Sequence, residues 1–162
     1  MNAIAVTGGN VEIVLRLGVA LFLGSSIGLN RELHGKAAGL RTHALVCLGA
    51  SLATLVTLAG RDGATPIDSN ATGRVVQGIM TGIGFLGAGV ILRDPNGHVT
   101  GLTTAATIWI CAVLGIVCGL GYWFILAVAL ALTALILWVG RPIERLAEHV
   151  FKRKPGSIDK SV

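Results

Sequence analysis

Apolar residues run along this chain in long uncharged stretches divided by short polar segments. The stretch 75–92, VVQGIMTGIGFLGAGVIL, holds eighteen residues without a charge, five of them glycine. A run of that length is a candidate membrane-spanning helix. Four more can be drawn, at about Val11–Leu29, Thr42–Gly60, Leu102–Cys118 and Tyr122–Val139. The last two form one apolar tract of about 40 residues, twice the ~20 needed for one crossing, and Gly119-Leu120-Gly121 is the natural place for a reversal. Pro95-Asn96-Gly97 and the stretch from Asp62 to Gly73 carry ordinary turn chemistry. The pattern predicts an all-α membrane protein, a compact bundle of five transmembrane helices.

Small residues recur at helical spacing on four of these segments. Arg16, Ala20, Gly24 and Gly28 fall every four residues on the first, and Thr103, Thr107, Cys111, Gly115 and Gly119 on the fourth. On the third, Gly78, Gly82 and Gly89 share one face and Gly84 and Gly87 the opposite one. Glycine lets membrane helices approach closely, since their association relies on packing. The third segment, with glycine on two faces, is therefore expected at the centre of the bundle, and leucine at Gly82 is expected to disrupt it. The fifth, YWFILAVALALTALILWV, is apolar all round and is expected to face lipid. Its Trp123 and Trp138 lie roughly 22 Å apart along a helix and can mark the two interfaces.

Charge orients the picture. Of thirteen lysines and arginines, ten (Arg31, Lys36, Arg41, Arg93, Arg141, Arg145, Lys152, Arg153, Lys154 and Lys160) fall on one side of a five-span layout. Arg16, Arg61 and Arg74 fall on the other. The positive-inside rule then puts the N-terminus outside and the C-terminus in the cytoplasm. Residues 1–140 are the transmembrane domain and 141–162 a basic cytoplasmic tail, in which Ile143, Leu146, Ala147, Val150 and Phe151 form one face of an amphipathic helix suited to the membrane surface. The opening residues, MNAIAVTGGNVE, lack the basic n-region of a signal peptide, so the first apolar run is expected to be retained.

Composition agrees: 53% of residues are hydrophobic and 13% charged, where soluble domains carry about 25% charge. The net charge of +5 sits in loops and tail, with no basic stripe interleaved with aromatics, which excludes nucleic acid as a partner. Cys47, Cys111 and Cys118 lie in apolar segments without metal-ligand spacing and read as small buried hydrophobes. The run Gly82-Ile-Gly84-Phe-Leu-Gly87 matches a dinucleotide-binding pattern, but the strand and acidic residue that give that pattern meaning are missing.

Two polar groups are the candidate sites. At the cytoplasmic rim stand Arg31, Glu32, Arg41, Thr42, Arg93 and Asp94, with His34 and His43 nearby. Arg41, at the start of the second segment, is placed to pair with Glu32 or Asp94 or to bind an anionic head group. Within the segments, Gln77, Thr81, Thr103 and Thr104 are the best candidates for a polar lining, because such groups usually face a bundle's interior. Threonine also bonds back to its own helix. No carboxylate lies deep in a segment, which argues against a buried acidic proton relay. A magnesium ion would stay largely hydrated or meet Glu32 and Asp94 at the rim; the metal question stays open, no cofactor is implied, and nothing indicates an enzyme.

AGLRTHALVCLGA (38–50), GRVVQGIMTGIGFLGAGVILR (73–93) and GLTTAATIWICAVLGIVCGLG (101–121), in that order, resemble the MgtC/SapB family of bacterial inner-membrane proteins. The resemblance runs from about Arg16 to Val139. It implies five spans, a place in the bacterial inner membrane, and a link to magnesium homeostasis, survival in low magnesium and virulence. It implies a regulator or accessory that meets another membrane protein, ATP synthase or a transport ATPase, or else a transporter or channel assembled as a homo-oligomer. Where the family usually carries an acidic residue before the arginine ending the first span, this chain has Asn30, with Glu32 two places on. The better-known members add a folded cytoplasmic C-terminal domain, which is not expected in a tail this short.

Overall fold

The computed structural model describes residues 9–58, 69–93, 95 and 97–151. Five helices order them: α1 (Gly9–Leu33), α2 (Leu40–Val56), α3 (Ser69–Val90), α4 (Leu102–Leu120) and α5 (Trp123–Phe151). Each covers one of the apolar stretches; most ends are shifted by a few residues, while α5 runs well past Val139 to Phe151. Three of them, over 10–33, 102–120 and 123–140, are long and apolar enough to cross a membrane, and α2 is a shorter apolar helix. The chain is helical from Ser69, so the turn expected over Asp62–Gly73 does not extend to its end; residues 59–68 lie outside the described residues. Between α3 and α4 the structure adds a short antiparallel hairpin, β1 (Leu92–Arg93) paired with β2 (Val99–Thr100). Its turn occupies the Pro95–Gly97 position.

Gly35 and Gly121 set two of the reversals. Gly35 has φ 62° and follows α1; its N–H donates to the Glu32 carbonyl (2.9 Å) and the Lys36 N–H to the Arg31 carbonyl (3.1 Å). Gly121, φ 75°, repeats the pattern after α4, with its own N–H on the Cys118 carbonyl (2.9 Å) and that of Tyr122 on Val117 (3.1 Å). In both places the left-handed glycine closes the last turn and satisfies orphan carbonyls.

The described residues up to Leu126 form one compact unit, and those from Ala127 a second. In the first, α2 lies against both α1 and α4, while α3 packs chiefly on α4. The core mixes small residues with a few large aliphatics: Ala20, Leu23 and Ile27 of α1, Ala44, Cys47 and Ala50 of α2, and Ile108, Cys111, Ala112, Leu114 and Cys118 of α4. The helix at the centre is thus α4, not α3. Among the described residues of α3, only Ile83 and Gly87 are buried. A Cβ added at Gly78, Gly82, Gly84 or Gly89 would meet nothing within 4 Å, and one at Gly87 only an ordinary contact with Ala105. The close approaches occur elsewhere. Gly24 and Gly28 of α1 lie against the α2 backbone at His43, Gly39 and Leu40, and Gly115 and Gly119 of α4 lie against α2 at Cys47 and Ser51. Glycine gives a helix the capacity for close approach; a partner surface equally free of bulk decides whether it is used. Such surfaces face α1 and α4, not the glycine faces of α3.

In the second unit the chain stays helical through Gly140 and Pro142 to Phe151. The tail therefore does not begin as a separate helix at Arg141. A proline removes one hydrogen bond, here to the carbonyl four residues back, and the following ERLAEHVF is made largely of good helix formers.

Candidate functional site

At the end of the first unit where α1 finishes and α2 and α4 begin, four polar side chains from three helices meet out of solvent. Arg31, in the last turn of α1, is 3% exposed. Its Nη2 donates to Thr104 Oγ1 (2.8 Å) and reaches Thr103 Oγ1 at 3.4 Å. One turn along α4, Thr107 Oγ1 donates to the Thr104 carbonyl (2.9 Å) and stands 3.1 Å from His43 Nε2 of α2. The other ring nitrogen, Nδ1, faces the Gly39 carbonyl at 3.0 Å. His43 is fully buried. These side chains tie three helices together, each through at least one hydrogen bond.

The elements place these residues for local reasons. Thr104 and Thr107, three apart on α4, share a face. The reversal at Gly35 brings Glu32 back over the start of α2, where its Oε2 accepts from the Leu40 N–H (2.9 Å). The preceding Gly39 makes no side-chain cap. Glu32 thus caps α2 across the loop, where a carboxylate also meets the favourable end of the helix dipole. A Cβ at Gly39 would lie 2.7 Å from that carboxylate oxygen.

A second buried cation stands on the same face of α1. Arg16 is fully buried; its Nη1 donates to the Gly119 carbonyl (2.6 Å) and its Nη2 pairs with Glu12. The Cys118 thiol donates to the Arg16 carbonyl at 3.1 Å. A guanidinium at the end of α4 supplies orphan carbonyls with a donor and meets the negative end of the dipole.

Of the residues expected at the rim, Arg31 joins Thr103 and Thr104, while Glu32 turns to the backbone of α2 rather than to Arg41. Arg41 and Thr42 are exposed at the start of α2 and lie outside the cluster. Arg93 is exposed in the hairpin, its Nε directed at the Gly97 carbonyl at 3.4 Å. Asp94 lies outside the described residues. The expected intramembrane set divides: Thr103 and Thr104 belong to the cluster, whereas Gln77 and Thr81 are exposed on α3, and the Thr81 hydroxyl donates to the Gln77 carbonyl (2.9 Å). His43, Thr107, Arg16 and Glu12 were not among the candidates. The four-residue spacing of Arg16, Ala20, Gly24 and Gly28, and of Thr103 and Thr107, was the signal that could have placed two of them, Arg16 and Thr107, on packed faces. Among the described residues, no three His, Cys, Asp or Glu side chains gather as metal ligands do.

Comparison with known proteins places the chain. It is 40% identical to protein SrpB of Synechococcus elongatus over 155 residues, covering 91% of this chain and 85% of that one. It is 42% identical to protein MgtC of Salmonella typhimurium over 137 residues, 85% of this chain but 54% of MgtC. It is 38% identical to YhiD of Escherichia coli, named there as a suggested magnesium transporter, over 130 residues, 79% of this chain and 60% of YhiD. The chain thus spans about half the length of MgtC and somewhat more of YhiD. No solved structure matches it. The profile of the MgtC family covers residues 17–146, more than half of the sequence, and the chain belongs to the MgtC family.

Proposed function

We propose that this chain is a five-span protein of the bacterial inner membrane, with its N-terminus outside, that serves magnesium homeostasis and adaptation to low magnesium. It acts without enzymatic chemistry, as a regulator or accessory of another membrane protein such as ATP synthase or a transport ATPase. Family membership and the name of YhiD support the link to magnesium. Three helices of spanning length and the ten-to-three division of basic residues support the layout. At 22 residues, α3 is about 33 Å long, enough for a crossing.

The observation that carries the regulatory reading is the state of α3. One side of it packs on α4, while Gly78, Gly82, Gly84 and Gly89 are open. A helix of this kind in lipid favours contact with a further helix over a solvated pathway. The polar residues point the same way. Arg31, His43, Thr104 and Thr107 are spent on one another across closely packed helices, and the exposed Gln77 and Thr81 are not among them.

The test has two arms. The purified protein, reconstituted alone into liposomes loaded with a magnesium indicator, is expected to give no flux above empty vesicles. A photo-crosslinking residue at Phe85 (81% exposed), expressed in the native membrane, is expected to capture a discrete membrane protein. Saturable magnesium flux from the protein alone would overturn the regulatory reading in favour of an oligomeric transporter or channel.

A further inference from the structure

The hydrogen bonds around His43 leave one proton position undetermined. Nδ1 faces a backbone carbonyl, Gly39, at 3.0 Å. A carbonyl only accepts, so Nδ1 carries a hydrogen in every charge state that keeps this contact. Nε2 faces Thr107 Oγ1 at 3.1 Å, and the same hydroxyl stands 2.9 Å from the Thr104 carbonyl. When the imidazole is neutral, the one hydroxyl proton serves either Nε2 or that carbonyl. When it is cationic, Nε2–H donates to the hydroxyl oxygen and the hydroxyl donates to the carbonyl. Rotation about one C–O bond therefore suits the contact to either form.

We propose that His43 is a proton-operated switch between α2 and α4, in which Thr107 reverses its hydrogen bond as the ring gains or loses a proton. Uptake adds one proton from water to Nε2 and one positive charge to the cluster; no other bond is made or broken. Histidine is the side chain whose charge ordinarily changes near neutral pH. The surroundings give the switch its consequence. From α1 the cluster receives Arg31, already cationic; from α4 it receives the hydroxyls of Thr104 and Thr107, with Cys111 a turn further on; along α2 the next titratable group on the same face is Cys47. Among the described residues, α3 contributes no charged or titratable side chain at this end. A second cation beside Arg31 opposes the first, so acidification weakens the Arg31–Thr104 tie and loosens the end of α1 from the start of α4.

Nitrogen-15 NMR of histidine-labelled protein in nanodiscs tests this. At neutral pH the His43 ring is expected as the Nδ1–H tautomer with a bare Nε2, and on acidification over the range the folded protein tolerates as the doubly protonated ring. T107S, which keeps the hydroxyl, is expected to retain this pattern, and T107V to shift the Nε2 resonance. Backbone hydrogen exchange over residues 31–40 is expected to rise with acid in the wild type and to stay flat in H43Q. An Nε2–H tautomer at neutral pH, a ring with unchanged shifts across that range, or exchange that rises equally in H43Q would each overturn the switch. If T107V fails to fold, the wild-type tautomer and T107S decide the matter.

Discussion

The exchange of central helix between α3 and α4 can be tested with two alanines. At Gly24 an added Cβ would lie 2.5 Å from the His43 carbonyl oxygen, 2.8 Å from Cys47 Cβ and 2.9 Å from Ala44 Cα. Two of these atoms are backbone and cannot swing aside. Restoring ordinary contact requires α1 and α2 to separate by about 0.7 Å, a gap that forfeits a quarter to a half of each local dispersion contact. Over a patch with as many atom pairs as one buried side chain, ~40 pairs at ~0.15 kcal/mol, the loss is about 2 kcal/mol, within the range for overpacked cores. At Gly82 an added Cβ meets nothing within 4 Å. Both substitutions make the same gain in helix propensity, up to about 1 kcal/mol in water, so it cancels when the variants are compared. G24A is expected to be less stable than G82A by about 2 kcal/mol, measured as reversible unfolding in mixed micelles of rising denaturing-detergent fraction. Equal stabilities, or a G82A variant that loses as much as G24A, would return α3 to the centre of the bundle and refute the packing described above.

Three further outcomes are expected. R16M removes the donor on the Gly119 carbonyl and leaves the Glu12 carboxylate without its cation; a loss of about 3 kcal/mol is expected, read in the same unfolding assay, with E12Q/R16M recovering part of it. E32A uncaps α2 and is expected to cost about 1 kcal/mol, whereas E32Q, which keeps an oxygen for the Leu40 N–H, retains most of the stability; equal losses would mean that the cap is not what Glu32 supplies. R41Q alters an exposed side chain outside the buried cluster and is expected to stay within about 0.5 kcal/mol of wild type; loss of growth in low magnesium from a normally inserted R41Q protein would make Arg41 a contact residue for a partner or lipid.

Helix positions were legible in the sequence because uninterrupted apolar length is a strong and local signal. The packed faces of α1 and α4 were legible too, since Gly24, Gly28, Gly115 and Gly119 recur at the helical repeat. What misled was α3, where five glycines in VVQGIMTGIGFLGAGVIL report a capacity for contact and say nothing of which neighbour answers it. The hairpin at Leu92–Thr100 is two pairs long, below what alternation of polar and apolar residues can reveal. His43 and Thr107, 64 residues apart, meet only through the crossing of α2 and α4, which no local pattern encodes. Glu32 is legible as a charge near the membrane edge; its use as a helix cap depends on the reversal at Gly35 and on the room left by Gly39.

The two buried arginines of α1 bear on how the protein is made. Their α4 acceptors lie 103 residues further along the chain for Arg16 and 73 for Arg31. In the proposed layout both arginines stand toward the ends of the first span, where an arginine costs less than the ~3 kcal/mol of one at the centre but still seeks the head-group region. During synthesis the first segment therefore leaves the ribosome before either acceptor exists. Until the fourth has emerged, its guanidiniums must linger near head groups or in the translocation machinery. Biogenesis then becomes a waiting problem: α1 can settle fully only after α4 arrives, and a ribosome stalled between the two would strand an intermediate open to quality-control proteolysis.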